Sequence, residues 1–262
     1  MSKYIFFDID GTLWDENMVV PESTKTAIKQ LQANGHKAFV CTGRAMGNVN
    51  DPQFDEIGFD GFIAACGNHV EMNGNILYEN NMSPSLVKKI YDVSREYHLP
   101  IIYEGTAFQW LDRDGFEGDP YIDYIVENLK DAAVFLDECE LSEIQANKFS
   151  ALLKENTNFA AISEALKEHF VFLDHGGGVI EAVPVGTSKA TGIQWLCEHL
   201  GIDKDDTFAV GDSINDLEML QYAGHSIAMG NATQVAKDAA EYITTDIHAD
   251  GIWNALKYYG LI

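Results

Sequence analysis

The stretch FFDIDGT, residues 6–12, sets two acidic side chains, Asp8 and Asp10, at the end of an apolar run. The run Tyr4–Phe7 predicts a buried strand, and residues two apart on a strand project to the same side. Asp8 and Asp10 are therefore predicted to face one site beyond the carboxyl end of that strand, where open parallel sheets bind ligands. Two close carboxylates repel each other unless a shared proton or a hard cation such as Mg²⁺ relieves them. The alternative is a turn in which both acids only cap the next segment.

The chain is acidic and has enough apolar residues for a sizeable core. It has 262 residues, of which 46% are hydrophobic, so one large domain or two modest ones are expected. Lys and Arg number 17 against 41 Asp and Glu, which gives a formal net charge of -24. Because an acidic surface repels phosphate backbones and anionic lipids, we expect no nucleic-acid partner and no membrane partner.

Other features of the sequence favour a cytoplasmic protein. No apolar segment is long enough to span a bilayer, and the first residues lack the apolar run of a signal peptide. The four cysteines are scattered and form no CxxC pair, which is typical of a reduced protein. Cys41 and Cys66 adjoin apolar runs, so we interpret them as small core residues rather than as catalytic thiols.

Strand and helix patterns alternate through the first eighty residues. Strand patterns occur at residues 4–7, 37–41 and 61–65. Pro21 opens a helical pattern that Gly35 is placed to end. Strands separated by helices imply parallel pairing and right-handed crossovers, so we predict an α/β fold with a doubly wound, mostly parallel, Rossmann-like sheet. Residues 71–78 predict a hairpin with Asn73-Gly74 at its turn.

The alternating pattern stops near Ser83-Pro84 and resumes after Pro184. Between these positions, an amphipathic helix over residues 85–98 and several strand patterns predict a small α+β insert. After Pro184, helices are predicted near 188–200 and 214–223, and strands at 208–210 and 226–229. We predict two domains, which are a catalytic core of residues 1–82 and 184–262 and an inserted α/β cap domain of residues 83–183.

Three further loops carry polar groups near the ends of predicted strands. Thr42-Gly43-Arg44 follows the second strand and offers a hydroxyl and backbone N–H groups to an anion. Residues 211–216 add two acids and an amide, although an ordinary Asp or Ser helix cap looks the same. Lys189 lies where the alternation of strands and helices resumes. The alternative interpretation of an isolated lysine there is a solvated surface charge. Together the loops supply a nucleophile, metal ligands, positive charge and proton-transfer groups, as phosphoryl transfer requires.

Four motifs of the sequence, and the order in which they occur, resemble those of the haloacid dehalogenase-like phosphatases. The motifs are Asp8-Ile9-Asp10-Gly11-Thr12, Thr42-Gly43-Arg44, Lys189 and Gly211-Asp212-Ser213-Ile214-Asn215-Asp216. The position of the insert, between the second motif and the lysine, is similar to the Cof-type branch with its large α/β cap. The resemblance covers essentially the whole chain. It implies a Mg²⁺-dependent phosphoric monoester hydrolase that acts on small-molecule phosphate esters, with sugar phosphates as the usual class.

The resemblance also implies a role for each motif residue. Asp8 is the expected nucleophile, which forms an aspartyl-phosphate, and Asp10 is the expected general acid and then base. The residues expected to bind phosphate are Thr42, Gly43, Lys189 and Asn215. The expected metal ligands are Asp8, the backbone carbonyl of Asp10, and Asp212, with Asp216 orienting them or binding through water.

Several features stay open at the level of sequence. The family often has Asn-Gly where this chain has Cys66-Gly67, and Arg44 could pair with an acid of the core as easily as contact phosphate. The Gly176-Gly177-Gly178 run could be a plain hairpin turn or a substrate loop. A phosphomutase would use the same nucleophile, whereas a non-catalytic binding module would lack a catalytic group. Cap residues that could select the substrate are Glu104, Trp110, Lys148, Asp174 and His175. Neither the substrate nor the oligomeric state follows from the sequence.

Overall fold

A computed structural model of the chain describes residues 2–113 and 115–262. Met1 of the predicted core domain and Asp114 of the predicted insert lie outside the described residues. The strands are β1 (Tyr4–Phe7), β2 (Lys37–Cys41), β3 (Gly61–Ala64), β4 (His69–Met72), β5 (Asn75–Glu79), β6 (Ile101–Glu104), β7 (Gln109–Leu111), β8 (Ala133–Phe135), β9 (Lys148–Leu152), β10 (Phe170–Asp174), β11 (Val179–Pro184), β12 (Thr207–Gly211), β13 (His225–Ala228) and β14 (Tyr242–Ile243). The α-helices are α1 (Glu22–Ala33), α2 (Pro52–Ile57), α3 (Pro84–Glu96), α4 (Pro120–Leu129), α5 (Phe159–Leu166), α6 (Lys189–Leu200), α7 (Leu217–Tyr222), α8 (Gln234–Ala239) and α9 (Gly251–Tyr258).

The chain divides into two compact units, each with its own sheet. The first unit runs to Arg44 and continues through Asn50–Tyr78 and Thr187–Ile262. The second unit comprises Ala45–Val49 and Glu79–Gly186. The short segment Ala45–Val49 was not part of the predicted insert. The division into a catalytic core and a cap, at 82/83 and 183/184, stays a prediction.

The first unit is built on a sheet whose central strands are parallel. The described strands follow the order β14-β13-β12-β1-β2-β3-β4-β5, and β1 pairs in parallel with both β2 and β12. Phe6 and Phe7 are both fully buried although they point to opposite faces of β1, so both faces of the central strand are covered. This is the α/β architecture that the alternation of strands and helices predicts.

Local signals in the sequence set the ends of several elements. Asn73 and Gly74 both have positive φ between the neighbouring strands β4 and β5, as the predicted hairpin turn requires. Helix α3 begins after Ser83, whose side chain accepts a hydrogen bond from the N–H of Leu86 at 3.3 Å. Pro84 occupies the first position of this helix, where its missing N–H has no consequence.

The second unit has a sheet of largely antiparallel strands in the order β10-β11-β9-β6-β7-β8. Tyr103, Trp110 and Phe149 lie in a buried cluster with residues of α3 and α5. Neighbouring residues on these strands point to the opposite face, where Ile102 and Leu111 pack with residues of α4. Helices therefore cover both faces of part of this sheet. Among the residues that the structure describes, none of the helices in either unit has the length and apolar character needed to cross a bilayer.

Candidate active site

The predicted nucleophile lies directly after β1, at the carboxyl edge of the centre of the sheet. Asp8 is 3% exposed, and its backbone N–H donates to the carbonyl of Val210 at 3.0 Å. Because β1 lies between β2 and β12 in parallel, the loops after all three strands meet at this edge. These loops carry the first, second and fourth motifs of the sequence.

Lys189 supplies positive charge to this edge and is almost completely buried, at 2% exposure. It begins α6, directly after the N-cap residue Ser188. Its Nζ donates hydrogen bonds to Oδ1 of Asp8 and to Oδ1 of Asp216. Burial alone would lower the pKa of Lys189, but the carboxylates of Asp216 and Asp8 outweigh burial and raise that pKa well above its usual value. The alternative of a solvated surface lysine is therefore wrong.

Three carboxylates, those of Asp8, Asp212 and Asp216, have oxygens within 4.8 Å of one another. Burial, and then the charge of Asp216, raise the pKa of Asp212 to about 7. The same two causes raise the pKa of Asp8 well above its usual value, against the opposing effect of Lys189. With one lysine facing three carboxylates, the ionised cluster has an excess of negative charge. A divalent cation that prefers oxygen ligands fits this donor set.

The second acid of the first motif is held by an arginine rather than by the carboxylate cluster. Asp10 is exposed, and its two carboxylate oxygens accept hydrogen bonds from Nε and Nη2 of Arg44 at 2.8 and 2.7 Å. This planar pairing at two points fixes the direction of the Asp10 carboxylate. The guanidinium also lies 5.2 Å from the ring centroid of Trp14. Arg44 therefore pairs with an acid of the first unit, which was one of the two alternatives for it.

The predicted phosphate loop, Thr42-Gly43-Arg44, follows β2. Thr42 is buried, and its N–H donates to the carbonyl of Ile63 at 2.8 Å. The hydroxyl of Thr42 accepts a hydrogen bond from the N–H of Arg44 at 3.1 Å, which tightens the loop around Gly43. The hydroxyl and the loop thus lie at the same sheet edge as Asp8.

A left-handed turn, Ala65–Gly67, supports this loop and the start of α6. Its residues have φ values of 50°, 52° and 84°. Its first two N–H groups donate to the carbonyls of Arg44 and Thr42, at 2.7 and 3.2 Å. A Cβ on Gly67 would lie 2.4 Å from the carbonyl oxygen of Ser188 and 2.8 Å from the nitrogen of Gly192. The turn therefore fixes two predicted phosphate-binding elements at once, and its third position admits only glycine.

The fourth motif forms a tight turn after β12. Oδ2 of Asp216 accepts from the N–H groups of Asp212 and Ser213 at 2.9 and 3.0 Å, so Asp216 shapes the loop while its other oxygen contacts Lys189. Asn215 is exposed, and its Oδ1 accepts from the hydroxyl of Ser213 at 2.6 Å. The loop therefore forms the helix cap at Ser213, and it also brings the carboxylates of Asp212 and Asp216 close to that of Asp8.

Two further residues join the site without having been assigned a role from the sequence. Thr12 donates from its hydroxyl to Oδ1 of Asp212 at 3.3 Å, and Asn231 donates from its amide to the carbonyl of Gly11 at 2.7 Å. Gly11 has a φ of 81°, and a Cβ there would lie 2.5 Å from Oδ2 of Asp212. Thr12 was visible as part of the first motif. Asn231 lies outside every motif and had no signal in the sequence.

Comparison with known proteins agrees with this geometry. The family model described as haloacid dehalogenase-like hydrolase matches residues 5–256. The Bacillus subtilis protein YkrA, which is named as a phosphatase, is 32% identical over 100% of this chain and 99% of its own. YitU of Bacillus subtilis, named 5-amino-6-(5-phospho-D-ribitylamino)uracil phosphatase, is 27% identical over 97% of this chain and 96% of its own. The solved structure of the HAD subclass IIB sugar phosphatase BT4131 matches with a TM-score of 0.79 and 25% identity, over 100% of both chains.

The match therefore extends from the four motifs to the full length of the relatives. A family model that spans nearly the whole chain agrees with the order of the motifs and with the strand ends on which they lie. The chain belongs to the haloacid dehalogenase-like hydrolases of Cof type and is a phosphoric monoester hydrolase.

Proposed function

We propose that the chain is a Mg²⁺-dependent phosphatase that hydrolyses small phosphorylated metabolites, sugar phosphates among them, through an aspartyl-phosphate on Asp8. The observation that carries this proposal is the buried contact of Asp8 with Lys189, beside the carboxylates of Asp212 and Asp216. Lys189 favours the ionised form of Asp8, which is the form able to attack phosphorus. The similarity to a sugar phosphatase and to a ribitylaminouracil phosphatase supports an ester with a hydroxyl-rich leaving group.

In the first step, a carboxylate oxygen of Asp8 forms a bond to phosphorus while the bond from phosphorus to the leaving oxygen breaks. Asp10 gives its proton to the leaving oxygen, so the alcohol departs neutral. Thr42, Gly43, Lys189 and Asn215 bind the phosphoryl oxygens, whose negative charge needs cations and N–H or O–H donors. Arg44 acts by holding the carboxyl group of Asp10 in one direction.

In the second step, Asp10 takes a proton from water, and the water oxygen displaces Asp8 from phosphorus. Inorganic phosphate is released, and Asp8 returns to its ionised form beside Lys189. Mg²⁺, held by Asp8, the carbonyl of Asp10 and Asp212, with Asp216 acting through water, would supply positive charge to the phosphoryl group. The second unit is proposed to act as a cap that selects the leaving group, because every residue with a role in these steps lies in the first unit.

A phosphate-release screen tests this function. The wild-type protein and the Asp8→Asn variant are assayed with sugar phosphates, nucleotides, cofactor phosphates and an aryl phosphate in the presence of Mg²⁺. We expect phosphate release by the wild-type protein and a loss of several orders of magnitude in Asp8→Asn, which keeps the shape of the side chain but removes the anionic oxygen. Asp55→Asn, an exposed acid on α2, is the matched control.

The outcomes separate the alternatives for this site. Near wild-type turnover in Asp8→Asn would exclude Asp8 as the nucleophile. Conversion of a sugar phosphate into its isomer without release of phosphate would identify a phosphomutase instead. Phosphate release by the wild-type protein and not by Asp8→Asn would support the phosphatase.

A further inference from the structure

The ion pair between Asp10 and Arg44 lies at the surface of the first unit, where ion pairs are ordinarily loose. The side chains of Asp10 and Arg44 are 55% and 32% exposed. Water screens an exposed pair, and two flexible side chains lose conformational freedom when they hold one geometry. The pairing of these side chains at two points therefore needs a further contact that keeps the guanidinium in place.

Trp14 provides such a contact. Cζ of Arg44 lies over the indole ring, 5.2 Å from the ring centroid. The face of an aromatic ring carries negative charge density and attracts a cation, and the ring of tryptophan does so most strongly. The guanidinium thus contacts both the indole and the carboxylate of Asp10.

The indole is itself held in place. Trp14 is 5% exposed, and its ring stacks on that of Phe54 with 5.1 Å between the centroids and an interplanar angle of 11°. The backbone N–H of Trp14 donates to the carbonyl of Ile9 at 2.8 Å, and its carbonyl accepts from the N–H of Gly11 at 2.9 Å. Asp10 lies between Ile9 and Gly11 in the sequence, so one turn holds the backbones of Trp14 and Asp10. Arg44 links the side chains of these two residues.

The polar atom of the indole does not explain why a tryptophan lies here. Nε1 of Trp14 is buried and has no hydrogen-bond partner within residues 2–113 and 115–262. A buried N–H group without a partner destabilises a fold, and a leucine or phenylalanine at this position would carry no such group. The part of the side chain that contacts other residues is the ring, which lies against Arg44 and Phe54.

We propose that Trp14 is a positioning residue for proton transfer, which acts through Arg44 to keep the carboxyl group of Asp10 in one direction. The inference rests on the proposed function, in which Asp10 gives its proton to the leaving oxygen as the bond from phosphorus to that oxygen breaks. Each carboxylate oxygen has a second lone pair beside the one that accepts from Arg44, so the ion pair leaves Asp10 able to take and give a proton. All three residues lie in the first unit.

The test compares two esters of similar size whose leaving oxygens differ in their need for a proton. The nitrophenolate of 4-nitrophenyl phosphate departs readily as an anion, whereas the alkoxide of benzyl phosphate requires protonation. We expect Trp14→Met to lower kcat/KM for benzyl phosphate by about 10-fold or more and for 4-nitrophenyl phosphate by less than about 3-fold. Trp14→Leu serves if Trp14→Met does not fold, and a sugar phosphate that the protein hydrolyses serves if it does not accept benzyl phosphate.

Two further variants separate positioning from stability. Trp14→Phe keeps a ring face for the guanidinium and should hold kcat/KM for benzyl phosphate within about 3-fold of the wild-type value. Trp253→Met removes a half-buried tryptophan of α9 and should keep the wild-type ratio of the two kcat/KM values. In an Arg44→Ala background, Trp14→Met should not change this ratio further, because the group that Trp14 holds is absent.

The possible failures are distinguishable. If Trp14→Met or Trp14→Leu lowers kcat/KM for both esters by the same factor, Trp14 contributes to the stability of the turn only and the inference is overturned. A loss in Trp14→Phe as large as that in Trp14→Met would overturn it as well, since the ring face would then have no part in the effect. If the wild-type protein hydrolyses neither ester and no other phosphate ester in the screen, the proposed function fails, and this inference fails with it.

Discussion

Lys189 determines the charge balance at the scale of single residues. Its ammonium group neutralises one of the three clustered carboxylates and leaves the others to repel each other. Repulsion between buried carboxylates costs free energy in the folded state, and binding of a cation to that state recovers it. The cluster is therefore expected to bind a divalent cation even when no substrate is present.

The first prediction is that Mg²⁺ stabilises the fold through Asp212. Millimolar Mg²⁺ should raise the Tm of the wild-type protein, by an amount that corresponds to about 2.7 kcal/mol when the cation is at 100 times its Kd. Asp212→Asn should reduce this shift.

Chelation should abolish phosphatase activity, and added Mg²⁺ should restore it. Ca²⁺ should substitute poorly for Mg²⁺, because the coordination sphere of Ca²⁺ is larger and looser.

A second acidic group among the described residues provides the control for this prediction. The carboxylates of Asp15 and Glu16 also lie near His248, but this group is partly or fully exposed. Asp15→Asn should therefore keep the full Mg²⁺-dependent rise in Tm. The prediction would be contradicted if Asp15→Asn lost the Mg²⁺-dependent rise in Tm while Asp212→Asn kept it in full. The cation would then bind at the exposed group and not at the buried carboxylates.

At the scale of elements, the left-handed turn Ala65–Gly67 couples the phosphate loop after β2 to the start of α6. Its N–H groups hold the loop, and Gly67 lies against Ser188 and Gly192. Residues with positive φ cost free energy unless they are glycine, and such strain is concentrated at functional sites. We infer that the turn keeps Thr42 and Lys189 at a fixed spacing.

The second prediction is that Gly67→Ala impairs catalysis beyond its effect on stability. The added methyl group must displace the backbone at Ser188 and Gly192, and with it Lys189. We expect kcat/KM to fall by about 10-fold or more, since small displacements of catalytic groups are costly. Gly74→Ala is the matched control, because Gly74 has a φ of 72° and no atom within 4 Å of the added Cβ. If Gly67→Ala and Gly74→Ala lost the same activity for the same decrease in Tm, the turn Ala65–Gly67 would have no role in positioning Lys189.

The third prediction concerns the buried ion pairs of the second unit, in which Nζ of Lys148 contacts a carboxylate oxygen of Glu181 and lies 3.8 Å from Oε2 of Glu104. Lys148→Met leaves Glu181 and Glu104 buried without their cation, so the free energy of unfolding should fall by about 3–5 kcal/mol. Urea denaturation measures this change. Lys167→Met removes an exposed lysine that pairs with Glu164, and its effect should stay within about 0.5 kcal/mol. An equally small effect of Lys148→Met would show that these ion pairs contribute little to stability.

The same ion pairs give the wild-type protein a pH dependence. Burial would raise the pKa of Glu181, but Lys148 and His175 outweigh burial and lower that pKa from its usual 4.5 to about 2. A carboxyl group whose pKa is depressed in the folded state stabilises the fold above its unfolded pKa. The contribution of Glu181 should therefore be full above about pH 5 and should be lost as the pH falls toward 2. In Lys148→Met, this loss should be smaller.

The sequence predicted best those features that depend on short-range patterns. The strands after which Asp8, Thr42 and Asp212 lie are apolar runs, and their parallel pairing follows from the helices between them. Helices α4, α8 and α9 and strand β11 were not predicted, and neither were the short strands β8 and β14. The two strands are only three and two residues long, and so short a segment has almost no periodicity to detect.

Pairings between distant residues could not be predicted. The choice of Arg44 as the partner of Asp10 and the burial of Lys189 depend on which strands become neighbours. The segment Ala45–Val49 is a further example, because it belongs to the second unit through contacts with distant residues, such as the hydrogen bond from the N–H of Gly47 to the carbonyl of Gly105 at 3.2 Å.

At the scale of the whole molecule, the division into two units predicts the effect of removing one. If Glu79–Gly186 is replaced by a short Gly-Ser linker, the first unit should still fold, because its sheet is formed by strands of its own. We expect cooperative unfolding and residual turnover of a small aryl phosphate, because Asp8, Asp10 and Lys189 remain. Discrimination among the sugar phosphates, nucleotides and cofactor phosphates of the screen should disappear. A truncated protein that folds and keeps the full-length substrate ranking would contradict the cap function.

The position of β1 in its sheet also has a consequence for synthesis on the ribosome. Tyr4 pairs with Lys37 on one side and with Thr207 on the other, so the second neighbour of β1 is translated long after the first. Until β12 emerges, the nascent sheet has an open hydrophobic edge along β1, of the kind that chaperones protect. The strands of the second unit are complete by Pro184 and can fold during this interval.

The site of phosphoryl transfer is therefore completed last. Asp8 is translated before Lys189, Asp212 and Asp216, which all follow the second unit in the sequence. A nascent polypeptide thus holds the proposed nucleophile without Lys189 and without the neighbouring carboxylates, and we expect it to acquire catalytic competence only after Asp216 has been translated. Ribosome-bound chains that stop before residue 217 should accordingly release no phosphate from an aryl ester, whereas the released chain of residues 1–262 should.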